Sequence, residues 1–358
     1  MDILDFLMLK WNRNLECIEV EMKKRRLIII TVVVFFIILF AMFFGISKYN
    51  EKKNQEEINS AIHGVVIGEE VPFYSKPKKN NVRQKRLLSK SENVYILDEF
   101  EEDGIEWYKV KVDEKINGYV RAENVDYYKE VNKEKVLVSD VSQFNIGAAF
   151  KNVDEYKVFL LENKISYVYI KAGGRGYGQK GTMYTDEEYK EYVEACEYLK
   201  IPYGFYFFDE ALNDDEIDEE VDFIQNFLKD NAGEFCKLPI ALDVEKHLGK
   251  GRADDIWEDR AELVQKLIDK LNDKSIENIV YTNAQTANLY LSNLNTKFWL
   301  AYYPEDDTIP TYWYFDTEQP GAKNTVLQKK TIGWQFTENG VGDEIIQKVD
   351  VSIFRKFE

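Results

Sequence analysis

From residue 136 onward the sequence alternates short β-prone runs with segments of helical spacing, and that alternation restricts the fold more than any other feature. The β-like runs are Val136–Ser142, Tyr167–Ala172, Tyr203–Phe208, Pro239–Glu245, Ile279–Thr282, Phe298–Tyr302, Ile332–Phe336 and Val349–Ile353. Between the first five lie helix-like segments: Phe150–Asn163, Asp186–Leu199, Ile217–Leu228 and Asp255–Leu271. In the last of these Trp257, Ala261, Val264, Ile268 and Leu271 fall in line, the 3.6-residue period of a helix packed on a core. Strands and helices alternating through short links build a parallel sheet covered by helices. Eight such strands predict an α/β fold over residues 136–358, an irregular (β/α)8-like barrel, irregular because helical spacing is faint between the last strands.

Barrels of this kind carry their chemistry at the C-terminal ends of the strands. Four acids meet that condition: Asp140 in the first strand, Asp243 and Glu245 at the end of the fourth, and Asp350 in the last. Each sits among apolar neighbours, where a charge is costly without a partner or a purpose. Residues i and i+2 of a strand point the same way, roughly 6–7 Å apart, so Asp243 and Glu245 should stand side by side. Closure of the barrel makes the first and last strands neighbours and should bring Asp140 to Asp350. Neighbouring carboxyls drive each other's pKa values apart. That yields one protonated and one charged group, the requirement for cleaving a glycosidic bond. A structural ion-pair network is the alternative.

Leu27–Ile46 is an uncharged apolar run, long enough for a helix that crosses a bilayer. Lys23, Lys24, Arg25 and Arg26 precede it, which keeps the N-terminus cytoplasmic and places everything beyond outside. A cleaved signal peptide would put the later residues on the same side; the length of the run and the poor cleavage match at Ala41–Gly45 favour an uncleaved anchor. The expected order is a cytoplasmic segment 1–26, a transmembrane helix 27–46 and a polar linker 47–61. Residues 62–128 follow as a small all-β domain, then a second linker 129–135. Within the β domain Gly64–Ile67, Asn93–Leu97, Trp107–Val112 and Gly118–Val120 read as strands, with Tyr108, Val110 and Val112 on a buried face and lysines opposite.

The net charge of −17 argues against nucleic acid as a partner. Cys17, Cys196 and Cys236, with His63 and His247 far apart, lack metal-ligand spacing; a Cys196–Cys236 disulfide stays open. Zinc-protease, Walker and dinucleotide signatures are absent from the sequence.

Residues 62–128 resemble bacterial SH3-like domains through Trp107–Val110 and Gly118–Val125, with Pro72–Pro77 in place of the usual arginine-containing motif. Such a resemblance implies binding to wall peptide or glycan, or a spacer role. Val136–Phe354 resembles the glycoside hydrolase family 25 muramidases. The marks, in order, are Asp140–Ser142, Tyr169–Ala172 with Asp186–Tyr189, Pro202–Tyr206, Leu242–Glu245, Trp299–Tyr303, Trp334–Gln335 and Val349–Val351. Departures are Gln143–Asn145 after the opening motif, Phe207–Phe208 where a histidine is common, and Ser352 where asparagine is common.

The resemblance implies hydrolysis of the β-1,4 bond between N-acetylmuramic acid and N-acetylglucosamine in peptidoglycan, with no metal or organic cofactor. It implies Glu245 as general acid, and Asp243 either steadying positive charge or orienting the N-acetyl group as an internal nucleophile. Asp140 and Asp350 would hold substrate and tune Glu245. Tyr206, Tyr303 and Trp334 are candidates for stacking on sugars, and Gln335 and Arg175 for contacting them. A tethered muramidase on the outer membrane face, serving a cell-envelope complex, is the expected function. A non-catalytic peptidoglycan-binding scaffold and a glycosidase acting on chitin-like glycans are the alternatives.

Overall fold

The computed structural model describes residues 3–78, 84–130, 134–247, 249, 251–304, 309–310, 313, 325–340 and 349–355; of 3–21, 27–34 and 325 it describes the backbone alone. It divides into two units, residues 1–61 and 62–358. The first is a single helix, α1 (Ile3–Ser60), so the expected linker 47–61 is almost entirely helical. From Phe35 to Ile46 its large apolar side chains are exposed. Among the described residues no helix is long and apolar enough to cross a membrane. The expected span 27–46 lies partly outside them, because the side chains of 27–34 are not described.

The second unit opens with a seven-stranded antiparallel sheet: β1 (Ile62–Val66), β2 (Glu70–Tyr74), β3 (Gln84–Ser89), β4 (Asn93–Glu102), β5 (Ile105–Val112), β6 (Ile116–Arg121) and β7 (Val125–Tyr127). The spatial order is β3-β2-β6-β5-β4-β1-β7. Its core gathers Val66, Phe73, Leu88, Val94, Ile96, Val110, Val112 and Val120. One expectation fails on β5: Lys111 and Trp107, on the face assigned to solvent, are both buried.

Then comes the barrel. Its strands are β8 (Lys135–Val141), β9 (Tyr167–Arg175), β11 (Tyr203–Phe208), β12 (Ile240–Asp243), β13 (Asn278–Asn283), β14 (Phe298–Ala301), β15 (Thr331–Thr337) and β16 (Asp350–Arg355). They follow one another around the sheet in that order, and β8 pairs with β9 to close it. All eight expected strands are present. The sheet is not wholly parallel, however: β16 runs antiparallel to both β15 and β8. The expectation also omitted β10 (Met183–Thr185), a short antiparallel extension of β9.

Four helices cover the first half of the barrel: α2 (Val153–Glu162), α3 (Tyr189–Leu199), α4 (Asp214–Asn231) and α5 (Trp257–Asp273). Asn152 and Asn213 cap α2 and α4 by accepting from the N–H groups of Glu155 and Glu216. On α4 three acids occupy the first turn, where the helix dipole favours them, and Ile217, Val221, Ile224 and Phe227 form the buried stripe. The main core fills the layer between helices and strands, and a smaller cluster that includes Val136, Val138, Tyr169, Ala241, Trp299 and Phe354 fills the barrel itself.

The small β sheet packs against this barrel. Tyr198, at the end of α3, donates its hydroxyl to the carbonyls of Gly64 (2.9 Å) and Val94 (3.0 Å). Its own carbonyl lies 2.7 Å from His63 Nδ1. Tyr128 donates to Ser166 O, and Val65 joins the barrel's outer core. Ser166 and Tyr198 lie just before β9 and β11, so the contact is at the N-terminal end of the barrel strands. Tyr198→Phe would leave two carbonyls short of a buried donor, a loss of about 1–2 kcal/mol. The expected outcome in thermal denaturation is a Tm lower by roughly 3 °C.

Candidate active site

Side chains alternate between the barrel interior and the helix layer. On β12, Ile240 and Leu242 join the outer core while Ala241 joins the inner one, so Asp243 faces inward. On β8 Val136 and Val138 lie inside, and Asp140 follows them. Asp140 and Asp350 are directly opposed in the β8–β16 ladder. The antiparallel course of β16 matters here. Asp350 is its first residue, and only a reversed strand brings a first residue to the rim where the other strands end. The floor beneath is aromatic: Tyr169 stacks on Trp299 with centroids 4.9 Å apart, Tyr281 and Phe354 contact the same indole, and Trp299 Nε1 donates to Ser352 Oγ at 2.9 Å.

This environment is hard on charge. Burial pushes Asp140 well above the usual carboxylate range, and Asp350, Asp243 and Glu245 push the same way, while the Gln335 amide opposes them. Burial and then Glu245 raise Asp243 strongly, with Lys171 pulling back. Glu245 is raised by burial against Lys171. Asp350 is pushed to about 7 by burial, Glu338 and Glu245. Asp243 Oδ1 is buried without a hydrogen-bond partner. A buried acceptor left open in this way is where a substrate hydroxyl or amide can bind. Among the described residues no three His, Cys, Asp or Glu side chains are grouped to hold a metal ion.

The other expected site residues divide. Tyr206 faces the interior beside Asp140 and Asp243, whose charges act on its hydroxyl. Tyr303 is 46% exposed and donates to Gln335 Oε1 at 2.7 Å. Gln335 is buried, accepts from Tyr281 as well, and donates to Asp140 Oδ2 at 3.0 Å. It reaches the acids, where it orients Asp140, and does not present itself at the surface as a sugar contact.

Two residues are corrected. Trp334 is 0% exposed: it points into the outer layer, packs on Trp313 and Phe336, and donates to Tyr302 O, so no sugar can stack on it. Arg175 is 1% exposed and bonds Glu220 (2.7 Å), Glu219 (3.0 Å) and the carbonyls of Gly181 and Glu216. It ties the β9–β10 turn to α4 and has no free face for a substrate. Cys196 and Cys236 are free thiols.

Sequence reasoning missed Lys171, although alternation from Tyr167 and Tyr169 puts it inside. It also missed Glu210, whose buried Oε1 lies 3.9 Å from His247 Nε2 and whose Oε2 accepts from Ala253 N. Asp254 gathers the N–H groups of His247, Gly249 and Gly251, so the chain just beyond Glu245 is held from two sides.

The sequence matches the Glycosyl hydrolases family 25 over residues 139–345, more than half of the chain. The chain belongs to family 25 of the glycosyl hydrolases. Membership of that family makes it a glycoside hydrolase by kinship, and three of the four acids, Asp140, Asp243 and Glu245, lie within the matched residues. A search of curated proteins returned no match. Solved structures similar to it include the autolysin LytC of Streptococcus pneumoniae, at 19% identity and TM-score 0.45, covering 73% of this chain and 58% of that one. The spore cortex lytic enzyme SleM of Clostridium perfringens aligns at 21% identity and TM-score 0.47, covering 63% and 69%. A lysozyme from Streptomyces coelicolor aligns at 18% and 0.40, covering 62% and 92%. The family 25 chain thus spans 58% of the LytC chain.

Two outcomes follow for stability. Arg175→Ala strands the buried Glu220 carboxylate, a loss of about 3–5 kcal/mol that thermal or urea denaturation would register. Asp350 holds its proton more tightly folded than unfolded, so its contribution is full below about pH 4 and is lost as pH rises through 7. Asp350→Asn should therefore be more stable than the parent at pH 8, by up to about 4 kcal/mol, with the difference vanishing near pH 4, in thermal melts across that range.

Proposed function

We propose that the protein is a membrane-anchored, extracytoplasmic muramidase that hydrolyses the β-1,4 bond between N-acetylmuramic acid and N-acetylglucosamine in peptidoglycan. The observation that carries this reading is the neighbouring pair Asp243 and Glu245 at the barrel mouth, close to the pair Asp140 and Asp350, in a family 25 chain. Burial raises the Glu245 carboxyl above its ordinary range, the direction that suits a group assigned to protonate the leaving glycosidic oxygen. Lys171 draws Asp243 towards its charged form against burial and Glu245, and Asp243 is assigned the place facing the positive charge that develops on the sugar. Asp140, fixed by Gln335, and Asp350 hold the substrate beside Glu245.

The uncharged run 27–46 behind four basic residues supports a single-pass anchor with its N-terminus in the cytoplasm and residues from about 47 outside. The seven-stranded sheet at 62–127 is read as an SH3-like module for wall binding. Peptidoglycan strands and the membrane are then the partners, within a larger cell-envelope assembly.

The test is incubation of the protein with purified peptidoglycan, following new reducing ends and identifying fragments by mass spectrometry. Fragments ending in reducing N-acetylmuramic acid are expected, and Glu245→Gln should lower their release by at least about 100-fold. Retained binding to walls of several chemotypes without any cleavage would replace this reading with a wall-binding scaffold. Equal cleavage of chitin oligomers would move the substrate to chitin-like glycans.

A further inference from the structure

We propose that Lys171 is a positioning residue for the reaction: its ammonium, caged by aromatic rings in the barrel mouth, fixes how the proton is shared between Asp243 and Glu245. The proposal rests on the assignment of Glu245 as the acid.

Tyr167 and Tyr169 on β9 belong to the inner cluster, and the strand period carries Lys171 to the same side, one layer nearer the rim. It stands in register with Tyr206 on β11, and Phe208 of that strand is in register with Asp243 on β12. The lysine, the aromatic pair and the acid therefore occupy three adjacent strands. Lys171 Nζ lies 5.5 Å from the Tyr206 ring, 5.5 Å from Phe208 and 5.8 Å from Tyr184 on β10. Ring faces attract a cation without cancelling its charge. Among the described residues Lys171 makes no ion pair, so that charge stays available to its surroundings.

Its surroundings are acidic on every side. Lys171 acts on Asp186 beyond β10, on Asp243 and Glu245 at the end of β12, and on His247 in the loop that follows. Asp209 and Glu210 after β11 press on Asp243 in the opposite sense. Asp140 lies on β8, the other neighbour of β9, and Asp350 faces it from β16. Without a cation, two buried neighbouring carboxyls would both keep their protons, and the site would hold an acid but no charged partner. One positive charge lets one of the two protons leave. The pair then carries a single proton, the state that acid-assisted glycoside cleavage needs.

The test is kcat/KM of the full-length protein on peptidoglycan from about pH 3 to 9, for the parent, Lys171→Met and Lys171→Arg. Methionine keeps an unbranched stem against the three rings and removes the charge. Both limbs of the profile should move to higher pH by about one unit in Lys171→Met and return towards the parent in Lys171→Arg. An unshifted profile in Lys171→Met, even with lower activity, would overturn the proposal, as would an equal shift in Lys171→Arg. Lys171→Gln serves the same comparison should the methionine variant fail to fold. A second readout separates this proposal from the assigned activity: carbon NMR titration of labelled Asp and Glu side chains. If the parent cleaves no peptidoglycan, the assigned function falls, yet higher titration midpoints for Asp243 and Glu245 in Lys171→Met would still uphold the electrostatic role, and unchanged midpoints would end it.

Discussion

The rest of this structure depends on the crowding of four carboxyls into the mouth of one closed barrel. Desolvation raises all four above their ordinary range, and repulsion from neighbouring acids adds to it at Asp140, Asp243 and Asp350. A folded protein does not keep such a cluster without support, and the surrounding architecture supplies it. The aromatic plug of Tyr169, Trp299 and Phe354 closes the barrel below. Gln335 holds Asp140, and Tyr281 and Tyr303 in turn hold Gln335. Around the outside, buried ion pairs such as Asp209–Arg260 (2.8 Å) and Glu220–Arg175 (2.7 Å) tie down the turns that follow the strands.

This arrangement concentrates strain where it is useful. A carboxyl that resists ionisation holds a proton to donate at higher pH, so the burial that costs stability also prepares Glu245 as an acid. The reversed last strand belongs to the same solution. In an all-parallel barrel the first residue of the eighth strand would lie at the far end, away from the chemistry. The antiparallel course of β16 brings Asp350 level with Asp140. The small β sheet docks at the opposite end, through Tyr198 and Ser166, which leaves the mouth uncovered by it.

Much of the fold was legible because period and chemistry agreed. Every barrel strand showed in the sequence, and the four acids stood out as charges among apolar neighbours. Direction was not legible: nothing in Val349–Ile353 says which way that strand runs, since pairing partners are set by closure and not by local sequence. Parity decided the errors at the site. Trp334 and Gln335 are adjacent, so they must face opposite sides of β15, and the indole took the outer layer while the amide took the inner. Lys171 could have been found by counting twos from Tyr167. Arg175 could not, because its partner Glu220 lies 45 residues away and on a helix.

The central claim is that a glycan strand lies across these acids with its scissile oxygen at Glu245. A crystal structure of Glu245→Gln soaked with a peptidoglycan tetrasaccharide tests it most directly. The account predicts a glycosidic oxygen within hydrogen-bond distance of the residue 245 side chain, with Asp243 beneath the adjoining sugar. A tetrasaccharide bound only on the small β sheet, or across the barrel with no bridging oxygen near residue 245, would contradict it.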